Sequence, residues 1–530
     1  MNETNLIIII YIRLIMSFAQ VHTRSVVGLH APKVRVEVHL SQGLPALTIV
    51  GLPEAAVRES KDRVRSALIN SDFQFPNRRL TINLAPADLP KEGARLDLPI
   101  AMGILAASGQ LEPEWLESYE FIGELALSGE LREISGALAV ARAIKSEAMA
   151  AKSDDRARKL MVPAGNAIEA SRISGMQVYA VKSLKQVCEH LQAENNPLGA
   201  HLASSEQGLL TAVVSQEAKQ KVAYKVDLAD VKGQHHARRA LEIAAAGGHS
   251  LLFSGPPGSG KTLMAARLPT ILPDLSEEEA LEVASTYSVA NTEYHYGTRP
   301  FREIHHTISA VALVGGGSRP KPGEITLANK GVLFLDEMPE FDRKVLEVLR
   351  QPLESKQITI SRANQQATFP ANFQLVAAMN PCPCGYQGDL SNRCRCRPEQ
   401  VQRYQDKISG PLLDRIDLQV SVPALPIKDL QSNAPGECSE IVRQRVTAAY
   451  NSQQLRQNKP NSELTPSEMD EHITLGDGEK QLLAMAQNKL NLSARGYHRL
   501  LRVARTIADL ANSTDIKTPH LSEALSYRGG

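Results

Sequence analysis

A glycine-rich octapeptide carries the clearest chemical signal in the sequence. It reads Gly255, Pro256, Pro257, Gly258, Ser259, Gly260, Lys261 and Thr262. This spacing fits a loop that wraps the phosphates of ATP or GTP. Glycines let the backbone turn its N–H groups toward anionic oxygens. We expect Lys261 to reach the β- and γ-phosphates and the Thr262 hydroxyl to hold Mg²⁺.

The residues on either side of this loop predict the elements that position it. Residues 250–254 form an apolar run typical of a buried strand, and residues 263–268 predict a helix. A helix that begins at the loop directs its first N–H groups toward bound phosphates. The strand, loop and helix together predict a nucleotide site, and a chance glycine-rich turn is the weaker interpretation.

Two further apolar runs end in side chains that nucleotide hydrolysis needs. Residues 331–335 predict a buried strand that leads into Asp336 and Glu337. We expect Asp336 to hold Mg²⁺ through water and Glu337 to orient the attacking water; an acidic turn after a core strand is the alternative. Residues 373–379 predict another strand, and Asn380 at its end can contact the γ-phosphate or the attacking water.

Arginines later in the chain suggest contacts with phosphates outside this loop. Arg415 stands in a short polar break, where ring ATPases carry an arginine that acts on a neighbour's γ-phosphate. A helix with Ser493 as its N-cap places Arg495, Arg499 and Arg502 on one face. A solvated helix surface is the alternative for each of these arginines.

A predicted hairpin lies between the second and third strands of this set. Residues 356–369 read as two strands with Arg362 and Asn364 near the tip. The segment contains Lys356 and Arg362 and no acidic residue, so we expect Arg362 to contact DNA.

Four of the six cysteines fall within one short loop, residues 381–397. They are Cys382, Cys384, Cys394 and Cys396. Four thiolates this close suit tetrahedral Zn²⁺, and a redox dithiol pair or an iron–sulfur cluster are the alternatives. The same loop carries Arg393, Arg395 and Arg397. We therefore expect a zinc-stapled finger that presents cations to DNA phosphates.

The composition limits where the protein acts. The 530 residues carry a net charge of +1, so nucleic acid must be met by a local patch and not by a global field. The clustered cysteines do not resemble a secreted disulfide framework, which indicates a reducing, cytoplasmic location. The apolar run at residues 6–16 is too short to span a bilayer, so no membrane partner is expected.

The pattern of elements predicts several domains. Residues 16–191 alternate strands and helices in an α+β domain, with strands at 33–40, 79–84 and 121–128 and helices at 53–69, 98–108 and 135–151. Residues 192–224 read as a linker, 225–430 as an α/β core and 431–530 as helices only. Residues 1–15 are expected to be an upstream extension, with Met16 as the true start.

The sequence resembles the ComM/YifB family, in the magnesium-chelatase-like branch of AAA+ ATPases. The resemblance runs from about residue 16 to residue 526. It is carried by segments 51–54, 233–249, 255–262, 305–309, 323–337, 380–385 and 407–417. It implies an AAA+ P-loop core with a C-terminal helical lid, and a homohexameric ring with ATP between subunits.

The resemblance also implies roles for individual residues. Asn380 matches the sensor-1 position, Arg415 the arginine finger and Arg495 the sensor-2 arginine. Gly233 and Gln234 match positions that border the adenine pocket.

The first domain resembles the proteolytic domain of Lon-type proteases without its reacting groups. Arg95 occupies the position of the family's serine and Leu138 that of its lysine. An acyl-enzyme cannot form without a nucleophile and a base, so we expect no peptidase activity. Lys91, Arg95 and Arg132 are instead candidates for a basic patch, with ordinary surface charges as the alternative.

Three functions compete at this stage. The family resemblance implies a motor on single-stranded and branched DNA that drives branch migration during recombination of imported DNA, with recombination proteins as expected partners. A magnesium-chelatase-type ATPase that remodels a protein for metal insertion shares the same core. An ATP-gated protease or chaperone is disfavoured by Arg95 and Leu138. ATP, Mg²⁺ and Zn²⁺ are the expected cofactors.

Overall fold

The computed structural model describes most of the chain in two compact units. The described residues are 17–51, 55–91, 93–150, 158–195, 209–214, 224–317, 320–362, 365–388, 393–424, 436–490 and 493–528. Residues 1–219 and 284–294 form the first unit, and residues 220–283 and 295–530 form the second. The predicted extension at residues 1–15 lies outside the described residues.

The strands are β1 (Phe18–Arg24), β2 (Lys33–Ser41), β3 (Ala46–Val50), β4 (Arg79–Ala85), β5 (Tyr119–Phe121), β6 (Glu124–Leu125), β7 (Leu131–Arg132), β8 (Lys159–Pro163), β9 (Val178–Val181), β10 (Leu251–Ser254), β11 (Phe301–Ile304), β12 (Gly315–Gly316), β13 (Lys321–Pro322), β14 (Val332–Leu335), β15 (Gln357–Arg362), β16 (Gln365–Pro370), β17 (Gln374–Met379) and β18 (Leu418–Ser421).

The helices are α1 (Ala55–Asn70), α2 (Asp97–Ala107), α3 (Ala137–Ala150), α4 (Ala167–Ala170), α5 (Leu184–Asn195), α6 (His235–Gly247), α7 (Lys261–Ala265), α8 (Leu268–Ile271), α9 (Glu277–Ala290), α10 (Ala310–Val314), α11 (Glu324–Leu327), α12 (Arg343–Glu347), α13 (Arg350–Ser355), α14 (Pro398–Gln405), α15 (Gly410–Leu413), α16 (Ser439–Gln457), α17 (Pro466–His472), α18 (Asp477–Leu490), α19 (Ala494–Leu510) and α20 (Thr518–Ser526). Among these described helices, none combines the length and apolar composition needed to cross a membrane.

A mixed sheet forms the framework of the first unit, in the order β3-β4-β2-β1-β5-β8-β9. Strand β2 alternates as predicted: Val34, Val36 and Val38 are buried and the residues between them face outward. Helix α2 is buried along its whole length and packs against β1 and β2. This apolar helix and the inner face of the sheet make the core of the unit.

Two sequence predictions for the first unit needed correction. The single strand expected at 121–128 is two strands, β5 and β6, followed by a turn in which Gly129 has φ 87°. A positive φ suits glycine and ends the extended run. Within the predicted linker, Val213 N–H donates to Val178 O at 2.8 Å, so residues near 213 pair with the edge strand β9.

A parallel sheet in the order β11-β14-β17-β10-β18 organises the second unit. Its three inner strands, β14, β17 and β10, are almost wholly buried, as the apolar runs predicted. Parallel strands have their carboxyl ends on the same side of the sheet, so the residues that follow β10, β14 and β17 lie close together there. Helices α6, α16 and α19 pack against one another beside the sheet, and the described part of 431–530 is helical, as predicted.

The prediction of one continuous helix over residues 263–268 is wrong. Helix α7 ends at Ala265 and α8 begins at Leu268. Pro269 has no N–H to donate to the carbonyl of Ala265, which explains the break.

Candidate functional site

The glycine-rich loop joins the end of β10 to α7. Gly258 and Gly260 have φ values of 75° and 92°, a left-handed conformation that glycine adopts without a steric penalty. A cavity of about 390 Å³ lies against the loop. It is lined by Pro257, Gly258, Ser259, Gly260, Lys261, Thr262, Leu263, Asp336, Glu337, Met379 and Asn380. The side chains predicted from three separate segments therefore share one cavity.

Lys261 lies buried at the centre of this cavity. Its Nζ donates to Gly255 O at 2.8 Å, Pro256 O at 3.0 Å and Asn380 Oδ1 at 3.2 Å. Burial lowers the pKa of Lys261, while the carboxylates of Asp336 and Glu337 oppose that shift. The ammonium group is thus held by neutral oxygens at the place where anionic phosphates would stabilise it more.

Thr262 and Asp336 form the pair expected at a magnesium site. The Thr262 hydroxyl donates to Asp336 Oδ2 at 2.7 Å, so both oxygen ligands point to one place. Hydroxyl and carboxylate oxygens, completed by water and phosphate oxygens, are the ligands that Mg²⁺ prefers. These residues fit the ion that the sequence predicted.

Glu337 follows β14 in an unusual backbone conformation. Its φ of 54° is left-handed, which costs a non-glycine residue about 1–3 kcal/mol and is concentrated at functional sites. Its carboxylate is about half exposed and lies 3.6 Å from His306 Nδ1. Sequence reasoning missed His306 as a member of the site; its position just after β11, at the same edge of the sheet, is the signal that could have found it.

Gln234, which the family resemblance assigns to the border of an adenine pocket, makes two side-chain contacts. It has φ 48°, and its side-chain amide donates to Pro423 O at 2.8 Å and to Ser259 O at 3.4 Å. Gly233 beside it has φ 59°. Gln234 therefore ties the start of α6 to the loop and to the residues after β18.

Arg415 lies near the amino ends of the parallel strands, whereas the glycine-rich loop lies at their carboxyl ends. Its carbonyl accepts from Ser250 Oγ at 2.8 Å, just before β10 begins. Residues 250 and 255 are separated by about 16 Å of extended strand. The Arg415 side chain pairs with Glu354 and donates to Pro411 O at 2.6 Å. Arg415 is therefore too far away to contact phosphates on its own loop.

Arg495 opens α19 and is exposed. The predicted cap is present, because Ser493 Oγ accepts from Gly496 N at 3.1 Å. The other two arginines of the predicted face differ from it. Arg499 and Arg502 are largely buried, and burial lowers the pKa of both. The solvated surface weighed for these two positions is therefore wrong.

The four clustered cysteines converge. Their sulfur atoms all lie within 4.8 Å of one another, and Cys382 Sγ is 3.3 Å from Cys384 Sγ and 3.8 Å from Cys394 Sγ. Sulfurs around one Zn²⁺ stand about 3.8 Å apart. Backbone N–H groups of Tyr386 and Arg395 lower the pKa of Cys384 to about 6, whereas the pKa values of Cys394 and Cys396 in the same cluster are raised. The donor set fits zinc.

In the second half of this loop, successive side chains face opposite directions. Cys394 and Cys396 face the sulfur cluster, and Arg393, Arg395 and Arg397 are exposed. The Arg393 guanidinium lies 4.3 Å from the centre of the Tyr386 ring. The extended segment thus directs thiols inward and a row of cations outward.

The cysteine loop contacts the glycine-rich loop directly. Gly385 has φ 83°, and a Cβ on it would lie 2.7 Å from Pro257 Cδ. Only glycine accommodates both the conformation and this close approach. The contact joins the cysteine loop to the glycine-rich loop.

The predicted hairpin is present as β15 and β16, with Arg362 opposite Gln365. Lys356 precedes it and lies 3.9 Å from Glu463. The Arg362 side chain and Asn364 lie outside the described residues.

The basic patch predicted on the first unit is wrong in one member. Lys91 is fully buried and its Nζ donates to Pro86 O, so it cannot meet a ligand at the surface. Arg95 is part-buried with Nη2 3.4 Å from Ser135 Oγ, while Arg132 is exposed. Leu138 is buried in α3. The absence of peptidase chemistry at Arg95 and Leu138 stays a prediction from the sequence.

Models of known protein families match most of the chain. The model described as magnesium chelatase, subunit ChlI, matches residues 227–430. The model for subunit ChlI of Mg-chelatase matches residues 36–166, and that for the ChlI C-terminal region matches residues 436–528.

Curated relatives match over nearly the full length. The competence protein ComM of Haemophilus influenzae is 49% identical over 519 residues, which cover 97% of this chain and 98% of that protein. The YifB protein of Escherichia coli is also 49% identical, over 97% of each chain. The magnesium-chelatase 38 kDa subunit of Rhodobacter capsulatus is 25% identical over 56% of this chain and 86% of its own length.

Proposed function

Because the chain belongs to the ComM/YifB family of magnesium-chelatase-like AAA+ proteins, we propose that it is an ATP-driven hexameric DNA motor. In this proposal it promotes branch migration and unwinding of branched DNA during recombination of imported DNA. Family membership itself implies ATPase activity. The name of the Haemophilus relative supports a role in competence, that is, in natural transformation.

The proposed ATP hydrolysis is supported mainly by one observation: side chains from three segments meet at the carboxyl ends of the parallel strands. Lys261 and Thr262 follow β10, Asp336 and Glu337 follow β14, and Asn380 follows β17, and all of them line one cavity. Mg²⁺, when bound by Thr262 and Asp336, supplies charge neutralisation at the phosphates.

The protein side chains then divide the work of hydrolysis. Lys261 binds the β- and γ-phosphates, exchanging its contacts with the carbonyls of Gly255 and Pro256 for charged oxygens. Glu337 orients the attacking water and accepts its proton, and the amide of Asn380 positions the γ-phosphate or the water.

The position of Arg415 supports a ring. Arg415 lies at the end of the strands opposite the glycine-rich loop. It can therefore stabilise a transition state only on a nucleotide bound to another subunit. Arg495 is exposed and is free to act in the same way. Each ATP would then lie between two copies of the chain.

The cysteine loop supports DNA as the substrate of the motor. Its three outward arginines are suited to phosphate backbones, and the Gly385–Pro257 contact connects them to the nucleotide loop. Arg362 in the hairpin is a further candidate for contact with DNA. The first unit lacks a nucleophile and base at the expected positions, so we propose docking or assembly for it and no proteolysis.

The decisive experiment is the ATPase rate with and without single-stranded and branched DNA. We expect stimulation by DNA that is lost in an Arg393/Arg395/Arg397→Ala triple variant. An Arg78/Arg79→Ala variant is the matched control, because both side chains are exposed on the first unit. ATPase activity with neither DNA binding nor stimulation would favour the alternative, a chelatase-type ATPase that remodels a protein partner.

A further inference from the structure

A cluster of arginines lies at the end of the parallel strands opposite the glycine-rich loop. Its centre is Asp417, which immediately precedes β18. The N–H groups of Asp417 and Leu418 donate to Ser250 O at 3.2 and 3.0 Å, and Ser250 precedes β10. The cluster and the glycine-rich loop thus stand at opposite ends of the same strand.

Three arginines share this one buried carboxylate. Arg499 and Arg502 come from α19, and Arg528 follows α20. Arg499 Nε lies 3.6 Å from Asp417 Oδ1, and Asp417 also attracts Arg502 and Arg528 electrostatically. Burial lowers the pKa of all three guanidinium groups. Three positive charges therefore face a single central negative charge.

The other charged groups near the cluster already have partners or are exposed. Asp417 Oδ2 already accepts from Ser250 N at 3.2 Å and lies 3.4 Å from His249 Nδ1. Asp414 attracts Arg499 and Arg528 from an exposed position. Glu468 attracts Arg502 but is bonded to Lys459 and Thr465.

Several buried donors in the cluster have no partner among the described residues. They are Arg499 Nη1, Arg502 Nε, Arg528 Nε and Arg528 Nη2. A buried donor left without a partner destabilises the folded state, and more so when it is charged. An anion with several acceptor oxygens would satisfy these donors and offset the charge together.

We infer that Arg499, Arg502 and Arg528 form a binding site for a phosphate-type oxyanion, separate from the glycine-rich loop of the same subunit. Planar guanidinium forks match the oxygens of such an anion. Arg495 lies one turn before Arg499 on the same helix face and is exposed, so this face of the helix runs from solvent towards the buried cluster.

Two sources can supply this chemistry. One is free inorganic phosphate, and the other is the terminal phosphate of a nucleotide on a neighbouring subunit. The second source rests on the proposed ring, whereas the site itself does not.

The first test measures inorganic phosphate binding to the full chain carrying Lys261→Ala, which removes the main cation of the glycine-rich loop. We expect phosphate to raise the Tm above that in chloride of equal ionic strength. Adding Arg502→Gln or Arg528→Gln should abolish the rise. Adding Arg239→Gln should preserve it, because Arg239 of the same unit is already paired with Glu523 and Glu242. Equal Tm values in the two salts, or a rise that survives Arg528→Gln, would overturn the inference.

A second measurement leaves the cluster intact, in case its variants do not fold. The ³¹P resonance of inorganic phosphate should broaden on titration with the Lys261→Ala protein, and excess chloride should not reverse it. A resonance that stays sharp would reject the site.

Mixed assemblies distinguish the two sources. Lys261→Ala subunits keep the cluster and Arg528→Gln subunits keep the ATP site. If the source is a neighbour's nucleotide, the mixture should hydrolyse ATP faster than the sum of the separate proteins. If free phosphate is the source, the mixture should equal that sum while the Tm rise persists. Failure to form any ring would count against the proposed motor and leave the Tm result unchanged.

Discussion

The amide oxygen of Asn380 lies 3.2 Å from Lys261 Nζ, which joins two segments separated by 119 positions in the chain. The contact forms because β10 and β17 are parallel neighbours and both end at the same edge of the sheet. In the proposed function, Lys261 binds the phosphates of ATP and Asn380, on the adjoining strand, positions the γ-phosphate or the attacking water. A change at either residue should therefore affect ATP turnover, but in different ways.

Lys261→Ala and Glu337→Gln should separate ATP binding from hydrolysis. Loss of the buried ammonium should abolish ATP binding, measured with a fluorescent ATP analogue. Glu337→Gln should bind ATP normally and lower kcat by about 10²–10⁴-fold, because an amide cannot accept the proton of the attacking water. Full turnover in Glu337→Gln would show that another group is the base.

Asn380→Ala should lower kcat by about 10²-fold, the usual effect of removing one preorganised polar contact to the transition state. The KM for ATP should change little, because Lys261 keeps its carbonyl contacts and its reach to the phosphates. Steady-state ATPase assays measure both constants. A large rise in KM with unchanged kcat would assign Asn380 to binding instead.

Gly385→Ala should weaken ATP binding on the order of tenfold, because a methyl group would push against Pro257 in the phosphate-binding loop. Gly388→Ala is a closely matched control. Gly388 also has a positive φ, 76°, but a Cβ there would meet no atom within 4 Å. Equal ATP affinities in the two variants would show that the Gly385–Pro257 contact does not transmit to the nucleotide site.

Freshly purified, reduced protein should contain about one Zn²⁺ per chain by elemental analysis. Cys384→Ser should lose the metal, since three thiolates bind Zn²⁺ more weakly than four. Cys188→Ser should retain it, because Cys188 is buried in the first unit. Iron in place of zinc, or neither metal, would refute the zinc assignment.

Arg24 and Glu120 should stabilise the first unit as a pair. Both are about 1% exposed and their side chains are 2.7 Å apart. Arg24→Met should destabilise this unit by about 3–5 kcal/mol, because it leaves the buried Glu120 carboxylate with only the more distant Arg158, at 3.7 Å. Hydrogen exchange in peptides from β1 and β5 measures the loss, and Arg24→Met/Glu120→Leu should recover most of it. Unchanged exchange in the single variant would contradict this assignment.

The parts of the site that follow buried strands could be predicted from sequence. Asp336, Glu337 and Asn380 each end an apolar run, and parallel strands bring such ends together. His306 was missed because its relation to Glu337 depends on the order of strands in the sheet, which local patterns do not encode. The same holds for Gly385 against Pro257.

Burial of charged residues was the least predictable property. Lys91 reads as a surface charge but is fully enclosed, and Arg499 reads as part of a solvated face but is largely buried around Asp417. Helical periodicity shows which residues share a face. It does not show what covers that face, because Arg499 of α19 meets Asp417 only in the folded unit.

The most direct test of the proposed motor is branch migration of a synthetic four-way DNA junction by the full-length protein. We predict ATP-dependent conversion of the junction into two duplexes, with none in Glu337→Gln and much less in Arg393/Arg395/Arg397→Ala. Conversion no faster than with Glu337→Gln, under conditions in which the unsubstituted protein hydrolyses ATP, would contradict the proposal.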